Sequence, residues 1–250
     1  MIKLKNKDQI EGIRKSCLLL SELLEQLRPM VQTGVGLLDL DKFAHDFILG
    51  HGGRPAFLHY EGYPATLCLS VNETVIHGIP SRRKLAEGDI VGVDCGIDLD
   101  GFYSDAAVTW TAGKVAPETE QLLRVTRECL DKAIAAVTPG ARIHDIARAV
   151  FSHATRFGYG VVRQYCGHGV GLEMHEDPQI PNYVSAGPNP RLIPGMTIAI
   201  EPMINAGRGD VRELDDDWTV VTLDGSLSAH YEHTVLVTET GHEVLTSWKV

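Results

Sequence analysis

The sequence predicts an α+β fold built from two homologous α/β halves, each a helix, a loop and a helix followed by strands. Three observations predict it. Two segments read as one strand written twice, Gly88-Asp-Ile-Val-Gly-Val-Asp94 and Gly195-Met-Thr-Ile-Ala-Ile-Glu201, each a glycine, an apolar run and a terminal carboxylate. Two loops between helix-like segments, Val31-Gln-Thr-Gly34-Val-Gly-Leu-Leu-Asp39 and Val137-Thr-Pro-Gly140-Ala-Arg-Ile-His-Asp145, share the same glycine-to-aspartate spacing. Gly34 and Gly140, Asp39 and Asp145, and Gly52 and Gly158 recur at one constant offset, with Gly88 and Gly195 one residue longer. That regularity marks pseudo-repeats over about 7–112 and 118–250, joined near Gly113 to Pro117 in a single domain over 1–250.

Residues Lys7 to Arg28 carry apolar side chains at Ile10, Ile13, Cys17, Leu20, Leu24 and Leu27, the spacing of an amphipathic helix, stopped before Pro29. A second helix is expected over Leu38 to Leu49. The second half repeats the pair over Glu118 to Val137 and Ile143 to Phe157. Asp89 to Trp110 reads as a hairpin, because Asp100-Gly101 is a strong turn signal between two apolar runs. A turn centred between Leu99 and Asp100 puts Asp94 directly opposite Asp105; a turn made by Asp100 and Gly101 makes them diagonal neighbours. Both registers place the acids on one face with Ile90, Gly92 and Ala107, while Val91, Val93, Ala106 and Val108 line the other. Glu201 ends the apolar run Thr197 to Ile200 before Pro202, and Glu232 is expected inside an alternating strand over Ala229 to Thr238.

At 250 residues, 44% hydrophobic and 22% charged, the chain can bury a large core. A formal net charge of −10 without a lysine-arginine block argues against nucleic acid as the main partner. Cys17, Cys68, Cys95, Cys129 and Cys166 are odd in number and never form a Cys-x-x-Cys pair, as expected of reduced thiols in a cytoplasm. The start lacks the apolar core of a signal peptide, and no stretch reaches the roughly 18 uninterrupted apolar residues of a membrane span. A cytoplasmic protein with no membrane partner is expected.

Carboxylates facing each other across paired strands repel, so something positive should sit between Asp94 and Asp105. Strands apolar on both faces are usually buried, and a buried carboxylate needs a partner. Glu201 and Glu232 add two acids, and His168, in Tyr165-Cys-Gly-His-Gly-Val-Gly171, adds an imidazole whose flanking glycines let backbone approach a ligand. His77, before Gly78 and Pro80, and His175, in Met174-His-Glu-Asp-Pro178, have similar settings. Four carboxylates and one imidazole form a hard, oxygen-rich set suited to manganese, iron(II), cobalt(II) or zinc and able to hold two ions. Paired ions activate water, polarise a carbonyl and stabilise attacking and leaving groups, which points to hydrolysis.

In the contexts Val93-Asp-Cys-Gly96, Ser104-Asp105, Gly167-His-Gly-Val-Gly171, Ile200-Glu-Pro-Met203 and Tyr231-Glu-His-Thr234, these five residues resemble the ligand signature of type I methionine aminopeptidases. The resemblance runs through nearly the whole chain, including Glu61-Gly-Tyr-Pro64, Ser70-Val-Asn-Glu73 and His77-Gly-Ile-Pro80. It implies the pita-bread (creatinase/aminopeptidase-like) fold, in which an internal pseudo-twofold relates two α/β halves around a curved antiparallel sheet. It also implies that Asp94 chelates one metal, that Asp105 and Glu232 bridge, and that His168 and Glu201 complete the other site. Glu201 would be general base and proton shuttle, and His77 and His175 would contact the scissile amide and its developing oxyanion.

Tyr60, Tyr63, Cys68 and Trp218 match the family's methionine pocket, and with His77, Met174 and His175 they make up the substrate-binding set the resemblance implies. Phe57 stands where a cysteine is often found, and Met174 stands where an aromatic often precedes the second histidine. Asn72, Thr74 and Ser228 match positions that bind a monovalent cation. The implied activity is removal of N-terminal methionine from nascent chains by a monomeric enzyme in transient contact with the ribosome. The alternatives are a proline-specific pita-bread peptidase, which usually carries an extra N-terminal domain, and a non-catalytic peptide-binding relative. Retention of all five ligands and both auxiliary histidines argues against the second. The span from His168 to Glu201 is too short for the insertion carried by type II enzymes.

Overall fold

The computed structural model describes residues 1–249. α1 (Lys7–Leu27) opens on a capping box, in which the Asn6 side chain accepts the Gln9 N–H and the Gln9 side chain accepts the Asn6 N–H, both at 2.9 Å. Its predicted stripe is buried at Ile13, Cys17, Leu20, Leu24 and Leu27, with Ile10 half-buried at the edge. Pro29 cannot continue the ladder, and the chain tightens into a 3-10 turn over Arg28–Met30. α2 (Leu37–Gly50), α3 (Pro117–Ala135) and α4 (Ile143–Arg156) all fall within two residues of the expected bounds. No helix among the described residues is long and apolar enough to cross a membrane.

The first half carries β1 (Arg54–Pro55), β2 (Cys68–Val71), β3 (Thr74–Ile76), β4 (Asp89–Leu99) and β5 (Phe102–Ala112). The second carries β6 (Gly160–Val161), β7 (Gly167–Gly169), β8 (Glu176–Ile180), β9 (Thr197–Ile200), β10 (Met203–Asn205), β11 (Val211–Glu213), β12 (Val220–Thr222), β13 (Ser228–His230), β14 (His233–Val237) and β15 (His242–Val244). Antiparallel pairing orders them as β1–β4–β2 with β5 beside β4, and as β15–β14–β9–β7–β8; the smaller sheets are β13–β10–β6 and β11–β12–β3.

The recurring landmarks share backbone conformation as well as spacing. Gly34 and Gly140 have φ of +92° and +86°, Gly52 and Gly158 +78° and +77°, and Gly88 and Gly195 +88° and +91°. Only glycine adopts such angles without strain. Gly34 N–H bonds Leu85 O at 2.7 Å as Gly140 N–H bonds Leu192 O at 2.9 Å; Leu85 N–H and Leu192 N–H return to Val35 O and Ala141 O. The same clamp between two loops closes in both halves.

Leu99 pairs with Phe102, so Asp100 and Gly101, with φ of +55° and +83°, form the two-residue turn of the long hairpin. Asp94 therefore lies opposite Ala107 and Asp105 opposite Gly96, the diagonal of the two registers. Val91, Val93, Cys95, Ala106 and Val108 join the leucines of α1 in the main core, which leaves the acids facing away from that helix. All five cysteines are free.

Glu232 does not lie inside a strand, contrary to the alternating pattern. β13 pairs with β10 whereas β14 pairs with β9, so the chain changes partners across Tyr231 and Glu232 and regular pairing lapses there. The two residues gain other partners. Glu232 N–H donates to Ala107 O at 2.8 Å, and the Tyr231 hydroxyl to Thr109 O at 2.9 Å.

Candidate metal centre

The two halves are stitched together at β5. Thr234 Oγ1 donates to Asp105 O, Glu232 N–H donates to Ala107 O, and Thr109 Oγ1 donates to His230 O, at 2.7, 2.8 and 2.7 Å. These contacts step two residues at a time in opposite directions, which is an antiparallel register between β5 and the segment 230–234. Across one row, Cys68 then neighbours Asp94, Asp94 neighbours Ala107, and Ala107 neighbours Glu232; the His233–Ile200 pair sets Glu201 beside Glu232. Two residues along each strand, Asp105, Thr234 and Ala199 form a second row. One step from the Gly169–Ile198 pair brings His168 beside Ala199. A two-residue step preserves the face, so all four acids and the imidazole project to one side.

The ligand atoms of Asp105, His168 and Glu232 all lie within 4.8 Å of one another. His168 Nε2 is 3.5 Å from Asp105 Oδ2 and 3.8 Å from Glu201 Oε1. Its Nδ1 sits 2.9 Å from Gly169 O, which accepts the ring N–H and leaves Nε2 facing the acids, as a cationic N–H in their field or as a lone pair once a metal takes the proton's place. Asp94 Oδ1, Asp105 Oδ1 and Glu232 Oε1 are buried without a hydrogen-bond partner. Three orphaned carboxylate oxygens turned into one space are what a divalent cation would satisfy, so the residues present fit the implied metal.

Electrostatics follow from the crowding. Burial pushes the Asp94 and Glu232 carboxyls well above the ordinary range, and the other acids of the cluster push them further. Burial raises Asp105 as well, against the pull of His168. For Glu201 burial also acts upward, but the neighbouring His230 and His168 imidazoles outweigh it and hold that carboxyl below its usual value.

The acids line a cavity of about 340 Å³ whose walls include Tyr60, Tyr63, Cys68, His77, His175 and Trp218. Phe57 and Glu61 also line it. Met174 is placed differently from the expectation. It is buried in the apolar cluster with Phe57, Tyr63 and Cys68, behind the lining rather than on it. His77 adopts φ of +57°, uncommon for a non-glycine residue, and its ring stands edge-on to Tyr165 and Trp218 at 5.7 and 6.1 Å. His175 Nδ1 is 2.9 Å from the Tyr60 hydroxyl, and its ring lies 4.2 Å from that of His168. Burial lowers the His77 imidazole; the cavity walls, which strip water from the His175 ring although the residue stays exposed overall, and then the His168 charge push His175 down to about 4. Both rings are neutral at pH 7.

Asn72 is committed to the scaffold. Its amide donates to Asp89 Oδ1 at 2.7 Å and accepts the Ile90 N–H at 3.0 Å, while its carbonyl accepts the Ser228 N–H at 2.9 Å. Thr74 pairs with Val221. Asn72 and Ser228 are thus brought together through backbone rather than side chains.

His230 was missed in the sequence. It is buried, and its Nε2 lies 3.4 Å from Glu201 Oε2, within ion-pair range but without hydrogen-bond geometry. Glu201 thereby sits between two imidazoles. The available signal was position, two residues before Glu232.

The glycines around His168 let neighbouring strands approach closely. A Cβ at Gly167 would lie 2.3 Å from Ala199 O, and one at Gly169 2.4 Å from Asp177 O. Gly169→Ala is therefore expected to lower the unfolding free energy in urea by about 1–3 kcal/mol or more, the scale of overpacking. An unchanged unfolding midpoint would show that the strands yield without strain.

A full-length comparison identifies the lineage. The profile described as metallopeptidase family M24 matches residues 11–239. The chain belongs to that family. Methionine aminopeptidase of Treponema pallidum is 51% identical over 98% of this chain and 96% of its own length; that of Escherichia coli is 43% identical over 98% and 94%. The crystal structure of methionine aminopeptidase from Thermotoga maritima superimposes with a TM-score of 0.96 at 43% identity, covering 99% of this chain and 100% of that one. The prolidase of Pyrococcus furiosus shares the fold with a TM-score of 0.80 at 24% identity, but only 66% of it is covered. This member of the M24 family is a metallo-aminopeptidase hydrolase with the pita-bread fold.

Proposed function

We propose that this aminopeptidase removes the N-terminal methionine from peptides and nascent proteins by hydrolysis, using two divalent ions held by Asp94, Asp105, His168, Glu201 and Glu232. The observation that carries the reading is the adjacency of the apolar pocket and the acid cluster. Cys68 of the pocket pairs directly with Asp94, so a side chain seated among Tyr63, Cys68 and Trp218 brings its own carbonyl to the acids one strand away. When bound, the ions polarise that carbonyl and make water nucleophilic at neutral pH.

The protein's own groups do the rest. Glu201, held ionised by its histidine neighbours, is placed to accept a proton and return it to the leaving amine. His77 and His175, both neutral and both lining the cavity, would bind the scissile amide and the oxyanion that develops there. Asp94 would help hold one ion and His168 with Glu201 the other, with Asp105 and Glu232 available to both; iron, manganese, cobalt and zinc all suit the donors. A monovalent cation held near Asn72, Thr74 and Ser228, a single catalytic domain over 1–250, a monomeric state, a cytoplasmic location and transient contact with the ribosome belong to the same proposal.

The test is a substrate comparison after chelation and anaerobic reconstitution with each of the four metals. Met-Ala-Ser is expected to release free methionine and Ala-Ser, while Ala-Pro-Ala stays intact. Cleavage of Ala-Pro-Ala alone would favour a proline-specific peptidase, and no hydrolysis with any metal would sink the enzymatic reading.

A further inference from the structure

We propose that Lys5 is a positioning residue for His175, acting through a buried ion pair with Glu176; the inference rests on the reading above, in which His175 meets the scissile amide. Lysine is almost never fully buried unless paired, yet the Lys5 side chain is 1% exposed, and its Nζ lies 2.7 Å from Glu176 Oε2 on a side chain that is 0% exposed. The second oxygen, Oε1, accepts the N–H groups of Leu172 and Glu173 at 2.7 and 3.1 Å. Glu176 thus closes the turn on which His175 stands.

Lys5 also reaches the other catalytic element. Its backbone N–H donates to Gly195 O at 2.8 Å, and Gly195 opens the run that ends at Glu201. One residue therefore ties the turn bearing His175 to the strand leading to Glu201. His175 itself is exposed, held between Met174 in the apolar cluster and Glu176 in the ion pair. Buried ion pairs add little net stability over apolar packing, so stability is a weak account of this one. What the pair supplies is a fixed location for the turn, and small misplacements near a reacting centre lower rates steeply.

The test is a double-mutant cycle on the reconstituted enzyme with Met-Ala-Ser as substrate. Lys5→Met is expected to lower kcat at least about tenfold with KM within about twofold. In a His175→Ala background it should cause no further loss, because the two changes act through one side chain. Lys5→Met leaves Glu176 charged and unpaired, so Lys5→Met/Glu176→Gln, which removes both charges, is measured beside it, with thermal melts fixing an assay temperature at which each is folded. The double variant should show the same loss, again absent without His175, and Lys5→Arg should recover most of the rate. Losses that multiply with that of His175→Ala, or wild-type kcat in folded Lys5→Met/Glu176→Gln, would overturn the inference alone. A wild-type enzyme that releases no methionine would overturn the functional reading with it.

Discussion

Glu201→Gln is expected to lower kcat for Met-Ala-Ser by about 10²–10⁴-fold, the contribution of a positioned general base, with KM within about twofold. Glutamine keeps the size of the side chain and one oxygen for a metal, but its amide cannot accept a proton. In the proposed mechanism the surroundings suit Glu201 to this task. Burial drives Asp94 and Glu232 toward the protonated form, whereas His230 and His168 keep Glu201 ionised. Steady-state kinetics at saturating manganese, with binding followed by calorimetry, separate loss of the base from loss of the ion. A Glu201→Gln enzyme that binds manganese normally and keeps more than about a tenth of the wild-type kcat would place proton transfer elsewhere.

Glu232→Gln is expected to change stability in opposite senses with and without metal. In the metal-free protein the folded carboxyl is raised above its ordinary value of 4.5. A group raised on folding contributes stability below its unfolded pKa and loses it as pH rises through the folded one, so the metal-free native state weakens on the alkaline side. Removing the ionisation removes that loss. Metal-free Glu232→Gln should exceed its parent at about pH 8 by an amount on the order of 1–4 kcal/mol, the scale seen when buried charges give way to neutral groups. The difference should close as pH falls toward the ordinary glutamate value. Manganese at about a hundred times its dissociation constant should add about 2.7 kcal/mol per occupied site to the parent and markedly less to the variant. Urea unfolding with chelator and with manganese, across pH, measures both arms. A metal-free variant weaker than its parent at every pH would show that the carboxylates do not oppose one another.

The duplication was legible because it rests on glycine. Left-handed backbone at Gly34, Gly88, Gly140 and Gly195 demands that residue, so the repeat survives in the letters where side-chain chemistry has diverged. Asp94 and Asp105 were legible because strand alternation alone puts them on one face. Their diagonal relation needed the turn, where both Asp100 and Gly101 take positive φ. Glu232 was found by its context but misassigned to a strand, since alternation cannot reveal that β13 and β14 have different partners. The pocket was read from resemblance, and Met174 shows the limit: a residue next to a site histidine in sequence can pack behind the wall that histidine lines. His230 and Lys5 escape a reading of the sequence, the first despite standing two residues before Glu232. Each owes its importance to a partner far along the chain, Glu201 for the first and Glu176 for the second, and no local pattern encodes such pairings.

The central claim is that two halves of one chain aim five side chains at a pair of divalent ions. The most direct measurement is an anomalous difference map from crystals of the chelated enzyme reconstituted anaerobically with manganese. The account predicts two peaks enclosed by Asp94, Asp105, His168, Glu201 and Glu232, both missing from crystals kept in chelator. Manganese-loaded, active crystals with no peak among these residues, or with peaks held by other side chains, would contradict it.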